Sequence, residues 1–234
     1  MKVLDLFSGI GGFSLGLERA GMETVAFCEI EPYCQKILKK HWPDVEIYSD
    51  VTNLKFVENV DLVTAGFPCQ DISCSGKRAG ISGSRSGLFW YVIRTLCMVG
   101  RPRVLLENVA GLLTRGLGTV LGAMAAFGYD AEWNCIPAGA VGAPHRRDRV
   151  WITAHDRCKR KQRVRIKEIQ WQPGFSWCKN VRGAEVFRER PDLYPPTLCR
   201  GRHGISERLD ALGNAVVPQI PEIIGRAIME AENR

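Results

Sequence analysis

Apolar and polar positions along the chain switch repeatedly between two periods. Short apolar runs of strand length give way to stretches in which apolar residues recur every three or four positions. The first run, residues 2–7, ends in the glycine-rich turn Ser8-Gly9-Ile10-Gly11-Gly12. A helical pattern over 13–20 follows, with Gly21 as its stop signal. Residues 24–29 read as a second strand, 32–41 as a helix and 45–50 as a third strand. Residues 61–65 form a fourth strand that runs into Gly66-Phe67-Pro68-Cys69-Gln70-Asp71. The stretch 71–87 is rich in Ser and Gly and predicts a mobile loop. A helix over 88–99, a buried strand over 103–107 and a helix over 119–127 come next. Residues 131–136 and 149–154 are then two strands close in sequence, with no helix between them.

Strand alternating with helix predicts a parallel sheet covered on both faces. The last two strands, lacking a crossover, are expected to pair antiparallel at an edge. Residues 155–204 break the pattern, whereas 209–217 and the helical stretch 218–232 return to it. The expectation is an α/β, Rossmann-like, mostly parallel sheet spanning 1–154. A short irregular insertion occupies 155–204, and 205–234 returns to the first unit. In such sheets ligands bind at the carboxyl ends of the strands. The informative residues fall there: Phe7 to Gly12 after the first strand, Glu29 after the second, Asp50 after the third, Pro68-Cys69 after the fourth and Glu107 ending the fifth.

Composition narrows the class. Hydrophobic content of 45% and charged content of 24% belong to an ordinary folded chain. Runs such as Val104-Leu105-Leu106 are too short for a bilayer, and Asp5 interrupts any leader-like stretch. No membrane role and a cytoplasmic location are the expectation. Nine cysteines without a repeating frame read as free thiols, with Cys28 and Cys97 as small core residues. A zinc site drawn from His155, Cys158, Cys178, Cys199 and His203 is the alternative, but no CxxC pair supports it and no metal is expected. The net charge of +7 is concentrated: Arg157 to Arg190 holds eleven Lys/Arg against three Glu, a local +8. Trp171, Phe175, Trp177 and Phe187 interleave with those charges, which favours a nucleic-acid surface over a merely solvated face.

The candidate chemistry is a cysteine nucleophile, Cys69, and a carboxylic acid, Glu107, at neighbouring strand ends. That pair suits attack on an electron-poor ring carbon while a ring nitrogen is held or protonated, the chemistry needed to alkylate carbon 5 of a cytosine. A buried structural thiol is the alternative for Cys69, and a core acid satisfied by backbone amides for Glu107. The turn through Gly9 and Gly11 lets backbone approach a ligand closely. Glu29, about twenty residues on, suits a ribose diol, with a solvated loop residue as its bland alternative. Asp50 is placed to accept from an adenine amino group. With no GKS or GKT string for phosphate, S-adenosylmethionine fits better than NAD or ATP. Arg147 and Arg149 flank Asp148, and on a strand they point the same way, toward a phosphate or a base carbonyl.

These strings carry a resemblance. The chain resembles the DNA (cytosine-5)-methyltransferase family, including its short phage and prophage members. Asp5-Leu6-Phe7-Ser8-Gly9-Ile10-Gly11-Gly12 looks like that family's cofactor motif. Gly66-Phe67-Pro68-Cys69-Gln70 looks like its nucleophile motif, and Glu107-Asn108-Val109 like its acid motif. Leu212-Gly213-Asn214-Ala215-Val216 looks like its final motif, and the order along the chain is the family's. His145-Arg146-Arg147-Asp148-Arg149 stands where the family commonly has Gln-x-Arg-x-Arg, with Arg147 and Arg149 retained. The target-recognition region is much shorter than usual.

The resemblance implies a class I methyltransferase fold, S-adenosylmethionine as cofactor and double-stranded DNA as partner. It implies that a flipped cytosine is attacked at C6 by Cys69 while Glu107 engages N3 and Arg149 engages O2, with Arg147 beside them. Phe7, Gly9, Ile10, Gly11, Glu29, Ile30, Asp50, Val51, Pro68, Leu88, Asn214 and Val216 would line the cofactor pocket. Gln70, Ser73, Ser75 and Arg85 would face DNA from the loop after Cys69, and Arg160, Lys161 and Arg163 from the basic region. A monomer working beside a cognate restriction enzyme is the implied setting. An RNA (tRNA) cytosine-5 methyltransferase and a catalytically weak DNA-binding member of the fold remain as alternatives.

Overall fold

A computed structural model describes residues 1–55, 58–68, 87–143, 145, 147–159, 164–169, 171 and 207–233. Seven strands form one sheet. They are β1 (Lys2–Leu6), β2 (Glu23–Cys28), β3 (Glu46–Tyr48), β4 (Leu62–Ala65), β5 (Arg103–Val109), β6 (Tyr129–Pro137) and β7 (Asp148–Asp156). Their spatial order is β3-β2-β1-β4-β5-β7-β6. The first five run parallel, and β7 is antiparallel to both β5 and β6. The last two strands therefore pair as the sequence predicts, with β6 at the edge and β7 between it and β5. The burial of the strands explains that order. The β7 run Val150-Trp151-Ile152-Thr153-Ala154 is buried throughout, whereas β6 is half-exposed along most of its length. Both exceed the apolar runs that announce them, because the ladder from Tyr129↔Asp156 to Pro137↔Asp148 continues through polar residues.

Helices α1 (Gly12–Arg19), α2 (Pro32–His41), α3 (Leu88–Met98), α4 (Leu112–Arg115) and α5 (Leu117–Ala126) connect the strands, and α6 (Glu207–Asn214) and α7 (Gln219–Glu232) follow them. Alternation along each strand divides the core into two layers. Leu4, Leu6, Val104, Leu106, Val150 and Ile152 pack with Phe89, Val92 and Leu96 of α3 and Val120 and Met124 of α5. Val3, Leu105 and Trp151 point the other way, onto Phe13 and Leu17 of α1 and Ile220, Ile224 and Ile228 of α7.

The basic region begins on this second layer. Val164 and Ile166 are buried in it, and Ile169 and Trp171 pack against it. Alternation in Val164-Arg165-Ile166-Lys167 sends the aliphatic residues inward and the cations outward. Part of the stretch that reads as irregular insertion is thus anchored to the sheet by its own apolar residues.

What holds α7 in place is the absence of side chains on α1. A Cβ at Gly16 would collide with the Pro218 carbonyl oxygen and stand 2.8 Å from Pro221 Cγ. One at Gly12 would lie 2.6 Å from the Val216 carbonyl oxygen, and one at Gly225 would lie 2.9 Å from Ala20 Cβ and Leu17 Cδ2. The buried Glu222 carboxylate of α7 completes the joint, taking Arg226 at 2.9 Å and Arg19 at 3.8 Å. Helix propensity alone favours Ala over Gly by roughly 0.5–1 kcal/mol in a helix interior. Here the collision is with backbone, which cannot rotate away, and overpacking of this kind costs about 1–3 kcal/mol. Gly16→Ala is therefore expected to lower the thermal midpoint despite improving helix propensity. Gly118→Ala, where a Cβ meets nothing within 4 Å, is expected to leave it unchanged or raise it. Thermal unfolding followed by circular dichroism checks both.

Candidate active site

The glycine turn leaves β1 with unusual backbone. Phe7 has φ 54, Gly9 φ 53 and Gly11 φ 86. A left-handed Phe is uncommon and costs on the order of 1–3 kcal/mol, which the surroundings must hold in place. They do so through hydrogen bonds. Ser8 Oγ donates to the Asp5 carbonyl at 2.6 Å, and Ser8 N donates to the Cys28 carbonyl at 3.2 Å. Gly9 N donates to Glu29 Oε2 at 2.6 Å, and Glu31 N donates to Glu29 Oε1 at 2.8 Å. Glu29 is buried, not a solvated loop residue, and it ties the turn after β1 to the end of β2. A Cβ at Gly9 would meet nothing within 4 Å, so the turn keeps an open side beside that carboxylate. Ile30 is largely exposed next to it.

Asp50 lies just past β3. Its carboxylate caps a 3-10 turn over Val51–Asn53, accepting from Thr52 N at 2.8 Å, Thr52 Oγ1 at 2.7 Å and Asn53 Nδ2 at 3.3 Å. That cap is why the third strand stops short of its predicted end. Val51 is buried in the core and Leu88 begins α3 half-buried. From the other side the C-terminal segment closes in. Ile10, Gly11, Gly12, Val216, Gly213 and Arg147 help line a cleft of about 570 Å³ between the glycine turn and that segment. Asn214 is exposed at the end of α6, and Val216 is half-buried against Gly12.

Below the turn sits a carboxyl that sequence reasoning passed over. Asp5 is fully buried and accepts from Thr64 Oγ1 of β4 at 2.6 Å and Ser14 Oγ of α1 at 2.9 Å. Burial pushes it up to about 7 from an ordinary 3.8, the hydroxyl partners pulling it down less and nearby Glu29 adding to the rise. Its signal in the sequence is a lone carboxylate inside the apolar run Val3-Leu4-Asp5-Leu6-Phe7.

The second centre is at the end of β5. Glu107 is buried, and its Oε1 accepts from Arg149 Nε at 2.9 Å. Burial raises its pKa above 4.5 against the opposing pull of Arg149 and Arg147. Among the described residues the acid is answered by the Arg149 guanidinium. Register explains the pairing: Val109 faces Arg149 and Glu107 faces Trp151, so Arg149 and Glu107 are diagonal neighbours on one face. Glu107 Oε2 lies 3.6 Å from where a Gly66 Cβ would stand, which places the acid beside the chain that leads to Cys69. Arg147 donates to the Gly213 carbonyl oxygen, joining the start of β7 to the C-terminal segment. Asn108 Nδ2 donates to the Phe67 carbonyl at 2.9 Å. Pro68 follows, exposed.

Cys69, Gln70, Ser73, Ser75 and Arg85 lie outside the described residues, as do Arg160, Lys161 and Arg163. So does the stretch 71–86 that reads as a loop. Among the described residues no three His, Cys, Asp or Glu side chains gather as metal ligands. His155 and Cys158 are among those described, while Cys178, Cys199 and His203 are not. No described helix is long and apolar enough to cross a membrane.

Residues 1–181 match the family model of the C-5 cytosine-specific DNA methylases. The chain is 34% identical over 228 residues to the type II methyltransferase M2.BsuMI of Bacillus subtilis (strain 168), covering 88% of this chain and 58% of that protein. It is 40% identical over 158 residues to the type II methyltransferase M.CviJI of Paramecium bursaria Chlorella virus IL3A, covering 65% of this chain and 42% of that one. The chain thus spans about half the length of these relatives. The fold matches the crystal structure of the S. pombe Dnmt2 methyltransferase with a TM-score of 0.68 at 16% identity, over 100% of both chains.

The raised Asp5 carboxyl has a measurable consequence. The folded chain holds that proton up to about 7, whereas an unfolded Asp releases it near 3.8. The folded form therefore binds the extra proton across this window, and the contribution of Asp5 to stability is lost as pH rises through it. Asp5→Asn, which keeps the shape without the ionisation, is expected to flatten the fall in thermal midpoint between about pH 4 and pH 7. An unchanged slope in calorimetry would show that other groups carry it.

Proposed function

The chain belongs to the C-5 cytosine-specific DNA methylase family, and from that premise we propose that it is a DNA (cytosine-5)-methyltransferase acting through a covalent Cys69 adduct. The observation that supports this most is the buried Glu107–Arg149 pair at the end of β5, beside the Gly66-Phe67-Pro68 backbone that leads into Cys69. A carboxyl raised by burial but steadied by a cation is suited to hold a proton against a ring nitrogen.

S-adenosylmethionine, the methyl donor of the family, supplies an electrophilic methyl group on a sulfonium. The residues present fit it. Glu29 offers a buried carboxylate to a ribose diol, and each of its oxygens keeps an acceptor position beyond its backbone bond. The open side of Gly9 gives room for close backbone approach, and exposed Ile30 provides apolar surface for the adenosine. Phe7, Ile10, Gly11, Asp50, Val51, Pro68, Leu88, Asn214 and Val216 complete the proposed pocket.

The chemistry assigned to the chain's own groups is as follows. The Cys69 thiolate adds to C6 of a flipped cytosine while Glu107 shares a proton with N3 and Arg149 donates to O2. Electron density moves to C5, which takes the methyl group. Loss of the C5 proton to a base then expels the thiolate and restores the ring. Arg147, bonded to the Gly213 carbonyl, links this centre to the cofactor cleft. Double-stranded DNA is the proposed substrate. A monomer in the cytoplasm, working beside a cognate restriction enzyme, is part of the same proposal.

Incubation with S-adenosylmethionine and unmethylated genomic DNA, followed by bisulfite sequencing, is expected to show 5-methylcytosine at one short recurring sequence. Cys69→Ser is expected to abolish it while calorimetric cofactor affinity stays within about twofold. Full turnover by that variant would sink the covalent route, and transfer to tRNA but not to duplex DNA would identify an RNA enzyme. DNA affinity is expected to fall steeply with salt. Neutralising Arg160, Lys161 and Arg163 together should lower the slope of log K against log salt by about 2–3, since each phosphate contact contributes about 0.9. An unaltered slope would remove these residues from the interface.

A further inference from the structure

The parallel ladder between β4 and β5 ends at Ala65↔Leu106. Beyond it the chain runs through Gly66 and Phe67 to Pro68, and proline has no N–H with which to extend pairing. Among the described residues, ladder bonding between β4 and β5 therefore ends before Pro68. Asn108 stands at this gap. It is buried, 3% exposed, and its Nδ2 donates to the Phe67 carbonyl at 2.9 Å. Its Oδ1 accepts from Val109 N at 2.9 Å, which fixes the orientation of the amide. The Phe67 ring is gripped separately by Phe89 of α3, with ring centroids 5.3 Å apart. Glu107 and Asn108 are consecutive on a strand and point to opposite faces. One reaches the acid centre and the other reaches the peptide immediately before Pro68.

We propose that Asn108 is a positioning residue: its side-chain amide replaces the missing ladder bond and holds the Phe67–Pro68 peptide so that the following cysteine is aligned with the base engaged by Glu107. This rests on the reading of Cys69 as the nucleophile. The carbonyl it holds belongs to the tertiary amide of Pro68, and among the described residues no backbone N–H bonds it, so releasing it frees rotation about Phe67 ψ. A displacement of about 1 Å at a reacting atom costs on the order of 10²-fold in rate. The amide touches neither the glycine turn nor Glu29, and of the proposed cofactor residues it neighbours only Pro68, so its loss should change cofactor affinity far less than the rate.

The test uses the full chain, a duplex carrying 5-fluorocytosine at the mapped target, and S-adenosylmethionine. Adduct formation is followed under single-turnover conditions, with cofactor affinity measured by calorimetry and folding by circular dichroism. Wild type should trap the adduct and Cys69→Ser should not. Asn108→Ala should trap it about 10²-fold more slowly, with cofactor affinity within about twofold of wild type. Asn108→Asp supplies a readout that a packing role would not move. Its ionised carboxyl cannot donate, whereas its protonated form can bond the Phe67 carbonyl again. Its rate relative to Asn108→Ala should therefore rise as pH falls. Adduct formation by Asn108→Ala at the wild-type rate, or a loss matched by equal loss of cofactor binding, would overturn the proposal while leaving Cys69 as nucleophile. Adduct formation by Cys69→Ser, or none by wild type, would overturn both.

Discussion

A carboxylate cannot remain charged in an apolar interior without a partner, and the molecule is arranged around one such carboxylate. Glu107 stands two residues before the end of a strand whose preceding residues are all buried, so its ionised form carries a desolvation cost that a nearby cation offsets. The cation comes from a strand running the other way. Because β7 is antiparallel to β5, its first residues lie beside the last residues of β5, and Arg149 reaches Glu107 across the ladder. A parallel strand in that place would put its start at the far end of the sheet. The single reversed strand among the described residues is thus what brings acid and guanidinium to the same edge as the glycine turn.

The edge is shared but its two centres are built differently. At the glycine turn, charge is held by backbone amides. At Glu107, charge is held by side chains from another strand. Arg147 belongs to both, since it lies close enough to lower the pKa of Glu107 and bonds the carbonyl of Gly213 in the segment that walls the cleft. Asp5 underlies the first centre in a similar way. It joins β1, α1 and β4 through the hydroxyls of Ser14 and Thr64, and burial, with nearby Glu29 adding to it, raises its carboxyl above the ordinary Asp range.

Much of this was legible in the chain. The switching period marked the strands and the helices α1, α2, α3, α5 and α7, while the single-turn α4 was too short to show one, and the residues at strand ends pointed to one edge. Glu29, Asp50 and Glu107 were all placed there by reading alone. What was hidden depended on register and on distant packing. The Arg149–Glu107 pair follows from which residue of β7 faces which of β5, and no local pattern encodes that. Gly16 and Gly225 are weak helix formers in isolation, and nothing local shows that one admits the backbone of Pro218 and the other the side chains of Ala20 and Leu17. Val164 and Ile166 were masked by the cations between and around them, although their alternation was visible. Asp5 was noticed only for interrupting an apolar run, since its partners Ser14 and Thr64 are polar residues on separate elements.

The joint between α1 and α7 has a consequence in time. Gly12 belongs to the first turn of α1, and the backbone it presses against, Val216, is made about two hundred residues later. At synthesis rates of 5–20 residues per second, about 10–40 s separate the two. Over that interval the strands can pair and the glycine turn can form, but the wall that closes the cleft does not yet exist. Until Val216 is made, the turn and its buried carboxyl depend on β-pairing and on the bonds that involve Ser8, Ser14, Glu29 and Thr64. The high sequence separation of the contact between Gly12 and Val216 also makes it a slow one to form.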